Sequence, residues 1–116
     1  MAALREYYLH DSLIDGVLFL PDEKRVEIRI ELCNWMQPGF CETDPETLEV
    51  CMVFEGVEEF SLSLAGYVFD YDEILEVRGA DDGTIVIAYL ATRDVATISI
   101  KGERVMFIKE TQHDGV

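Results

Sequence analysis

The chain is poor in positive charge: 9 Lys+Arg stand against 24 Asp+Glu in 116 residues, a formal net charge of -15. A surface so anionic repels phosphate backbones and acidic lipid headgroups, which argues against direct binding to nucleic acid or membrane and favours a cationic partner. Histidine is scarce, with only His10 and His113, and the three cysteines Cys33, Cys41 and Cys51 show no C-x-x-C spacing. No zinc site or disulfide framework is therefore expected, and each thiol reads as a reduced, small apolar residue in or near the core. No apolar run approaches the roughly 18 to 20 residues that cross a bilayer. The start, Met1 to Tyr8, carries Arg5 and Glu6 in place of the apolar stretch of a signal peptide, so a cytoplasmic location is expected. Phosphate-binding glycine loops, G-x-S-x-G and H-E-x-x-H are all missing, which argues against nucleotide, hydrolase and zincin chemistry.

A helical period is also hard to find. What is present is alternation with a period of two, the signature of half-buried strands. In Arg25 to Leu32 the residues Val26, Ile28, Ile30 and Leu32 share one face and four charges take the other. Ser12 to Leu20 precedes it, with Gly16 placed for a bulge, and Pro21-Asp22-Glu23-Lys24 supplies the turn of a hairpin. Leu48 to Phe54, Val57 to Leu64, Ile74 to Arg78, Thr84 to Leu90, Val95 to Ile100 and Val105 to Lys109 continue the pattern. Asp82-Gly83 suits a hairpin turn that needs positive φ, and the C-terminal half reads as a meander. Only Ala2 to Tyr8 and the loop from about Asn34 to Thr47 leave room for a short helix, and Thr111 to Val116 reads as a polar, frayed tail. The expectation is one mostly-β domain over residues 1–116, with about eight antiparallel strands in a sandwich or partly closed barrel.

The acidity has a pole. Residues 42–82 hold thirteen acids against Arg78 alone, a net of -12, whereas residues 83–116 are neutral. Like charges packed this densely oppose the compact state, so retaining them suggests a compensating use: solubility, a cation or a basic partner. Asp70, Asp72 and Glu73 are the first candidates for pairing with a basic partner, and Glu58 and Glu59 the next. The loop Asn34-Trp35-Met36-Gln37-Pro38-Gly39-Phe40 places the only Trp beside Met and Phe where turn residues would be expected. Trp35 and Phe40 are either apolar anchors of an interface or a cap over one end of the core.

Catalytic candidates are poor. His10-Asp11-Ser12 holds the residue types of a hydrolase triad, yet neighbours in an extended chain point to opposite faces and cannot align as one. A local role in capping a turn is expected, and His113 falls in the tail. Asp70-Tyr71-Asp72-Glu73 lacks the twelve-residue calcium loop. No catalytic residue, metal or cofactor is assigned.

Leu9-His10-Asp11-Ser12-Leu13-Ile14, Glu31-Leu32-Cys33-Asn34-Trp35-Met36-Gln37, Val53-Phe54-Glu55-Gly56-Val57 and Phe69-Asp70-Tyr71-Asp72-Glu73-Ile74-Leu75 together resemble small bacterial immunity proteins of polymorphic-toxin and contact-dependent inhibition systems. The resemblance spans Leu9 to Val77. It implies a cytoplasmic antitoxin that binds one cognate toxin domain, often a basic nuclease, and blocks its active site or substrate surface. It carries no residue set that transfers position by position. The rival expectation is a small-molecule binding module or small enzyme, with a β-barrel pocket using His10, Tyr7 or Tyr8. A third is a structural or oligomeric protein whose acidity serves solubility alone.

Overall fold

Val26, Ile28, Ile30 and Leu32 alternate with charged neighbours, and burying that side of the chain requires an extended strand whose partners are patterned in the same way. The computed structural model, which describes residues 8–109, supplies them. Its strands are β1 (Leu13–Leu20), β2 (Arg25–Cys33), β3 (Thr47–Glu55), β4 (Glu59–Leu62), β5 (Asp72–Gly79), β6 (Thr84–Leu90), β7 (Val95–Lys101) and β8 (Arg104–Lys109). All eight pair antiparallel in one sheet of order β4-β7-β6-β5-β1-β2-β3-β8, and the sheet does not close. The mostly-β expectation is met.

On β2 and β3 the pairs Val26↔Phe54, Ile28↔Met52 and Ile30↔Val50 lie on one face and are buried. On β6 and β7 the pairs Ile85↔Ile100, Ile87↔Ile98 and Tyr89↔Ala96 do the same. These two sets form a single core, so the two halves of the sheet bend toward each other as two layers. Each fully buried Ile or Phe contributes about 1.5–3 kcal/mol of transfer free energy, which makes this shared face the main source of stability. The bend is tight enough to bring Phe19 of β1 within 4.7 Å, ring to ring, of Phe60 at the β4 edge.

The layers meet at two corners. At one, β1 and β5 share only Leu13↔Glu73 and Ile14↔Asp72, extended by Asp11 N–H to the Ile74 carbonyl (2.9 Å) and Ile74 N–H to the Ser12 carbonyl (2.7 Å). At the other, β3 runs into β4 through Gly56–Glu58, while β7 runs into β8 through Gly102-Glu103. The β3–β8 and β4–β7 ladders are thus two arms of one bent ribbon. Glu103 N–H donates to the Glu55 carbonyl (2.9 Å) and Glu58 N–H to the Lys101 carbonyl (2.7 Å), which carries pairing across the bend.

This corner corrects the C-terminal meander. β5, β6 and β7 do follow one another in space, but β8 leaves β7 for β3, and the vacated edge of β7 is taken by β4. The expected helix in the 34–47 loop is limited to a 3-10 turn over Asn34–Met36, and another 3-10 turn spans Pro21–Glu23. The helix considered over Ala2 to Tyr8 and the tail from Thr111 lie outside the described residues, apart from Tyr8. The bulge forms as expected: Ile14 pairs with Ile30 and Gly16 with Arg29, leaving Asp15 as the extra residue.

Candidate functional site

In an antiparallel sheet, directly paired residues point to the same side. Glu73 pairs with Leu13, Leu13 with Glu31, and Glu31 with Glu49, so a row of three glutamates and a leucine crosses β5, β1, β2 and β3 on the face away from the core. The bulge at Asp15 adds a fourth carboxylate. Gly16 follows it, and its missing side chain leaves room for Arg29, whose guanidinium would lie 3.3 Å from a Cβ at that position.

Asp15, Arg29, Glu31, Glu49 and Tyr71, floored by Ile30 and Val50, line a shallow hollow of about 60 Å³. One water needs roughly 10–15 Å³ by this measure, so the hollow admits about four water-sized groups, the size of a guanidinium and far below a metabolite pocket. Among the described residues, no ion pair joins Asp15, Glu31 or Glu49 to a cation. Tyr71 adopts the left-handed backbone conformation (φ 55°), and its ring is half in solvent. Asp15 raises the Tyr71 phenol above its usual value of 10.0, followed by partial burial and then Glu49, Glu31 and Asp70. The phenol therefore stays neutral and able to donate.

Beside this row, before β1, lies the segment considered as a triad. The Ser12 side chain is fully buried, and its hydroxyl accepts the Cys33 N–H (3.0 Å). His10 Nδ1 lies 2.9 Å from Asp11 Oδ1 at the surface. Ser12 thus serves the backbone of β2, 21 residues along the chain, in place of the local turn cap expected of it. The Cys33 thiol donates to the Asp11 carbonyl (3.2 Å), and burial, then Asp11, pushes its pKa up from 9.0, so it is not an activated thiolate. Among the described residues no group of three or more His, Cys, Asp or Glu side chains is arranged to hold a metal ion.

The seven residues singled out from sequence fall in three places. Glu73 faces outward in the glutamate row and Asp70 lies exposed beside it. Asp72 turns inward, because it pairs with the fully buried Ile14 and shares the face of Ile74. Its carboxylate accepts the Tyr67 hydroxyl and the Asp70 N–H (2.7 Å), and the first of these bonds raises the Tyr67 phenol above 10.0. Asp72 thus holds the β4–β5 connection onto the sheet end. Close by, Tyr67 and Phe69 pack on the buried Tyr89, whose hydroxyl has no protein partner.

Glu58 and Glu59 sit at the opposite corner. Glu58 lies 3.9 Å from Lys101 Nζ, and Glu59 pairs with Lys101 in the ladder. Lys101 is opposite Thr84 at one end of β6 while Ile74 is opposite Tyr89 near the other, which separates the two acidic groups by roughly 20 Å at the rise of a strand. The structure therefore does not bring all five acids together. Other acids of the 42–82 stretch are neutralised or occupied: Glu55 pairs with Arg104 (2.6 Å), Glu76 with Arg78 (3.5 Å), and Asp82 caps Thr84 N–H (2.9 Å).

Trp35 is 54% exposed and Phe40 half-buried, and neither belongs to the core or to the shell packed on it. The capping role is thereby set aside for Trp35. Its loop is pinned at the base, where Asn34 and Trp35 N–H both donate to the Glu46 carbonyl (2.9 and 3.2 Å) and Gln37 Nε2 reaches the Tyr8 and Cys33 carbonyls (2.6 and 2.9 Å). The loop springs from the Cys33↔Thr47 pair, two residues beyond Glu31↔Glu49, so an exposed Trp and the carboxylate hollow belong to the same end of the sheet. Tyr8 and His10 are exposed; Tyr7 and His113 lie outside the described residues. Sequence reasoning missed Asp15, Arg29, Glu31, Glu49 and Tyr71 as a group. Strand parity and the Gly16 bulge were the available signals.

No known protein family matches the chain, and no curated protein or solved structure shows detectable similarity to it.

Proposed function

We propose that the chain is a cytoplasmic immunity protein that neutralises a cognate basic toxin domain, a nuclease, by presenting an acidic surface in place of the toxin's polyanionic substrate. The observation that carries this reading is the row Glu73, Glu31 and Glu49 in cross-strand register, of which Glu31 and Glu49, with Asp15 and beside Arg29, line a hollow sized for a guanidinium. Aligned carboxylates of one sign are unfavourable for the free protein and favourable against a basic surface. In the proposed complex Asp15, Glu31 and Glu49 receive an arginine of the toxin, and the Tyr71 hydroxyl donates to a neighbouring acceptor. Glu73 and Asp70 extend the charged strip, Trp35 supplies the apolar anchor at its end, and Glu58 and Glu59 act at a distance through the field.

The test is binding of a candidate basic nuclease toxin domain, measured as Kd and association rate over a range of salt. Asp15→Asn, Glu31→Gln and Glu49→Gln together are compared with Asp22→Asn, Glu23→Gln and Asp81→Asn, which remove equal charge from exposed positions elsewhere. The first set should weaken binding by about 2–5 kcal/mol, mostly through dissociation, and the second should mainly slow association. Equal losses would place the effect in the overall field, and an absence of binding would end the proposal.

A further inference from the structure

The free N–H and C=O groups of an edge strand accept another strand unless the edge is short, bulged, or interrupted by proline or a charge. The sheet ends in β4 and β8. β4 is protected by its length of four residues and by Glu59 upon it. β8 runs for six residues, Arg104 to Lys109, with no proline, glycine or bulge, and among the described residues it pairs on one side only, with β3. Its charges sit at the two ends. Between them Val105 and Phe107 lie on the core side opposite Phe54 and Met52, while Met106 and Ile108 lie on the outer side opposite Val53 and Cys51. Val53 and Cys51 are buried although they face away from the core, and Met106 and Ile108 next to them are 39% and 46% exposed. The edge is therefore apolar on both faces, and its outer face continues an apolar patch on β3.

The charges say what covers it. Among the described strands only β8 has two bases and no acid, in a chain of net charge -15, so it is the edge at which a second copy meets least repulsion. Directly opposed residues of an antiparallel pair share a face, so Arg104 on the outer face never opposes Lys109 on the inner one. The two registers of fullest overlap about a two-fold axis are centred on Phe107 or on Met106. The first sets Lys109 against the apolar Val105 of the other copy. The second sets Met106 against Met106, Val105 against Phe107, and Lys109 against the exposed Glu103 of the other copy. Lys109 has no ion pair among the described residues, so this register supplies its counter-charge. Arg104 then crosses Ile108 with its aliphatic stem, its guanidinium already neutralised by Glu55 at 2.6 Å. We infer that β8 is a dimerisation edge, joined antiparallel to the β8 of a second copy with Met106 on the two-fold axis, so that one sheet runs through both. This inference concerns the edge alone and does not rest on the proposed function.

Sedimentation equilibrium of the full chain from about 10 µM to 1 mM, with amide hydrogen exchange at both ends of that range, tests it. The mass should rise from one chain to two and go no further, as a closed two-fold contact requires. It should do so more readily at about 0.5 M than at about 0.1 M salt, because screening removes the repulsion between two chains of -15 each. Amides of β8 should gain protection with concentration, and those of β4 should not.

Ile108→Lys, with Met106→Lys as a second variant, should raise the dissociation constant at least about tenfold and leave the unfolding midpoint nearly unchanged, since each side chain is exposed in the single chain. Val68→Lys, at an exposed apolar residue away from the edge, should leave the dissociation constant where it was. Lys109→Glu and Glu103→Lys should each weaken association about three- to tenfold, and the two changes in one chain should restore it. A single-chain mass throughout, growth past two chains, protection gained at β4, dimers that survive both β8 lysine variants, a loss in Val68→Lys equal to theirs, or no rescue in the double exchange would overturn this edge and its register.

Discussion

Glu31 on β2 stands directly opposite Glu49 on β3, two carboxylates in register on the outer face of a central ladder. A like-charge pair in this position destabilises by about 0.2–1 kcal/mol. Either Glu31→Gln or Glu49→Gln should therefore raise the urea midpoint at neutral pH while weakening binding to a basic partner. A variant that loses both stability and affinity would contradict the assignment of this pair to function.

Trp35 gives the converse case. Its indole is largely in solvent and packs on no part of the core, so Trp35→Ala should shift stability by no more than about 0.5 kcal/mol. As the anchor of the proposed interface, Trp35→Ala should nevertheless cost about 2 kcal/mol or more in binding. Calorimetric unfolding and titration of the same variant separate the two quantities.

Asp70 and Asp72, two residues apart, should behave differently. Asp70→Asn alters an exposed side chain, whereas Asp72→Asn removes the carboxylate that receives the Tyr67 hydroxyl and the Asp70 amide. Chemical denaturation should show a loss of about 1–3 kcal/mol for Asp72→Asn and little change for Asp70→Asn. Tyr67→Phe combined with Asp72→Asn should cost less than the sum of the two single changes.

The β5–β6 hairpin carries an acid-sensitive turn. Asp82 accepts the Thr84 amide at 2.9 Å, and this bond and the Thr84 hydroxyl hold its carboxyl below the ordinary 3.8. A carboxyl lowered in the folded state contributes stability that is present above 3.8 and is lost as pH falls through the folded value. The Thr84 amide resonance should therefore report a transition below 3.8 that Asp82→Asn abolishes.

Gly56 bends β3 into β4 at φ 65°, and a Cβ there would meet the Glu103 side chain at 2.6–2.8 Å. Gly66 has a similar φ of 73° with open space around it. Gly66→Ala should cost about 1 kcal/mol for the backbone alone, and Gly56→Ala more, because Glu103 must swing aside. Equal losses would show that Glu103 moves freely.

How far the chain could be read in advance follows from the range of each interaction. β2 and β3 were legible because Val26 to Leu32 and Leu48 to Phe54 alternate within themselves. The bulge at Asp15 and the turn at Asp82-Gly83 were legible because one residue type answers a local backbone demand. The departure of β8 was not, since Lys101-Gly102-Glu103-Arg104 has the composition of a hairpin turn and the Glu103 N–H there donates to the carbonyl of distant Glu55. The same holds for the acidic face: Glu31 meets Glu49 only once the β2–β3 register exists. The inward turn of Asp72 could have been read, since it lies on the parity of Ile74.

The bent ribbon at the β3–β4 corner bears on how the molecule is made. β3 must wait for β8, and β4 for β7, across intervals of roughly 40 to 60 residues, and such distant pairings are slow to form because the loop must be closed before any contact rewards it. A nascent chain that has emerged only as far as β6 has neither arm of the ribbon. Folding should therefore be a late, single event on the millisecond-to-second scale rather than a stepwise one. The core shared by the two layers should therefore be complete only once β8 has been synthesised.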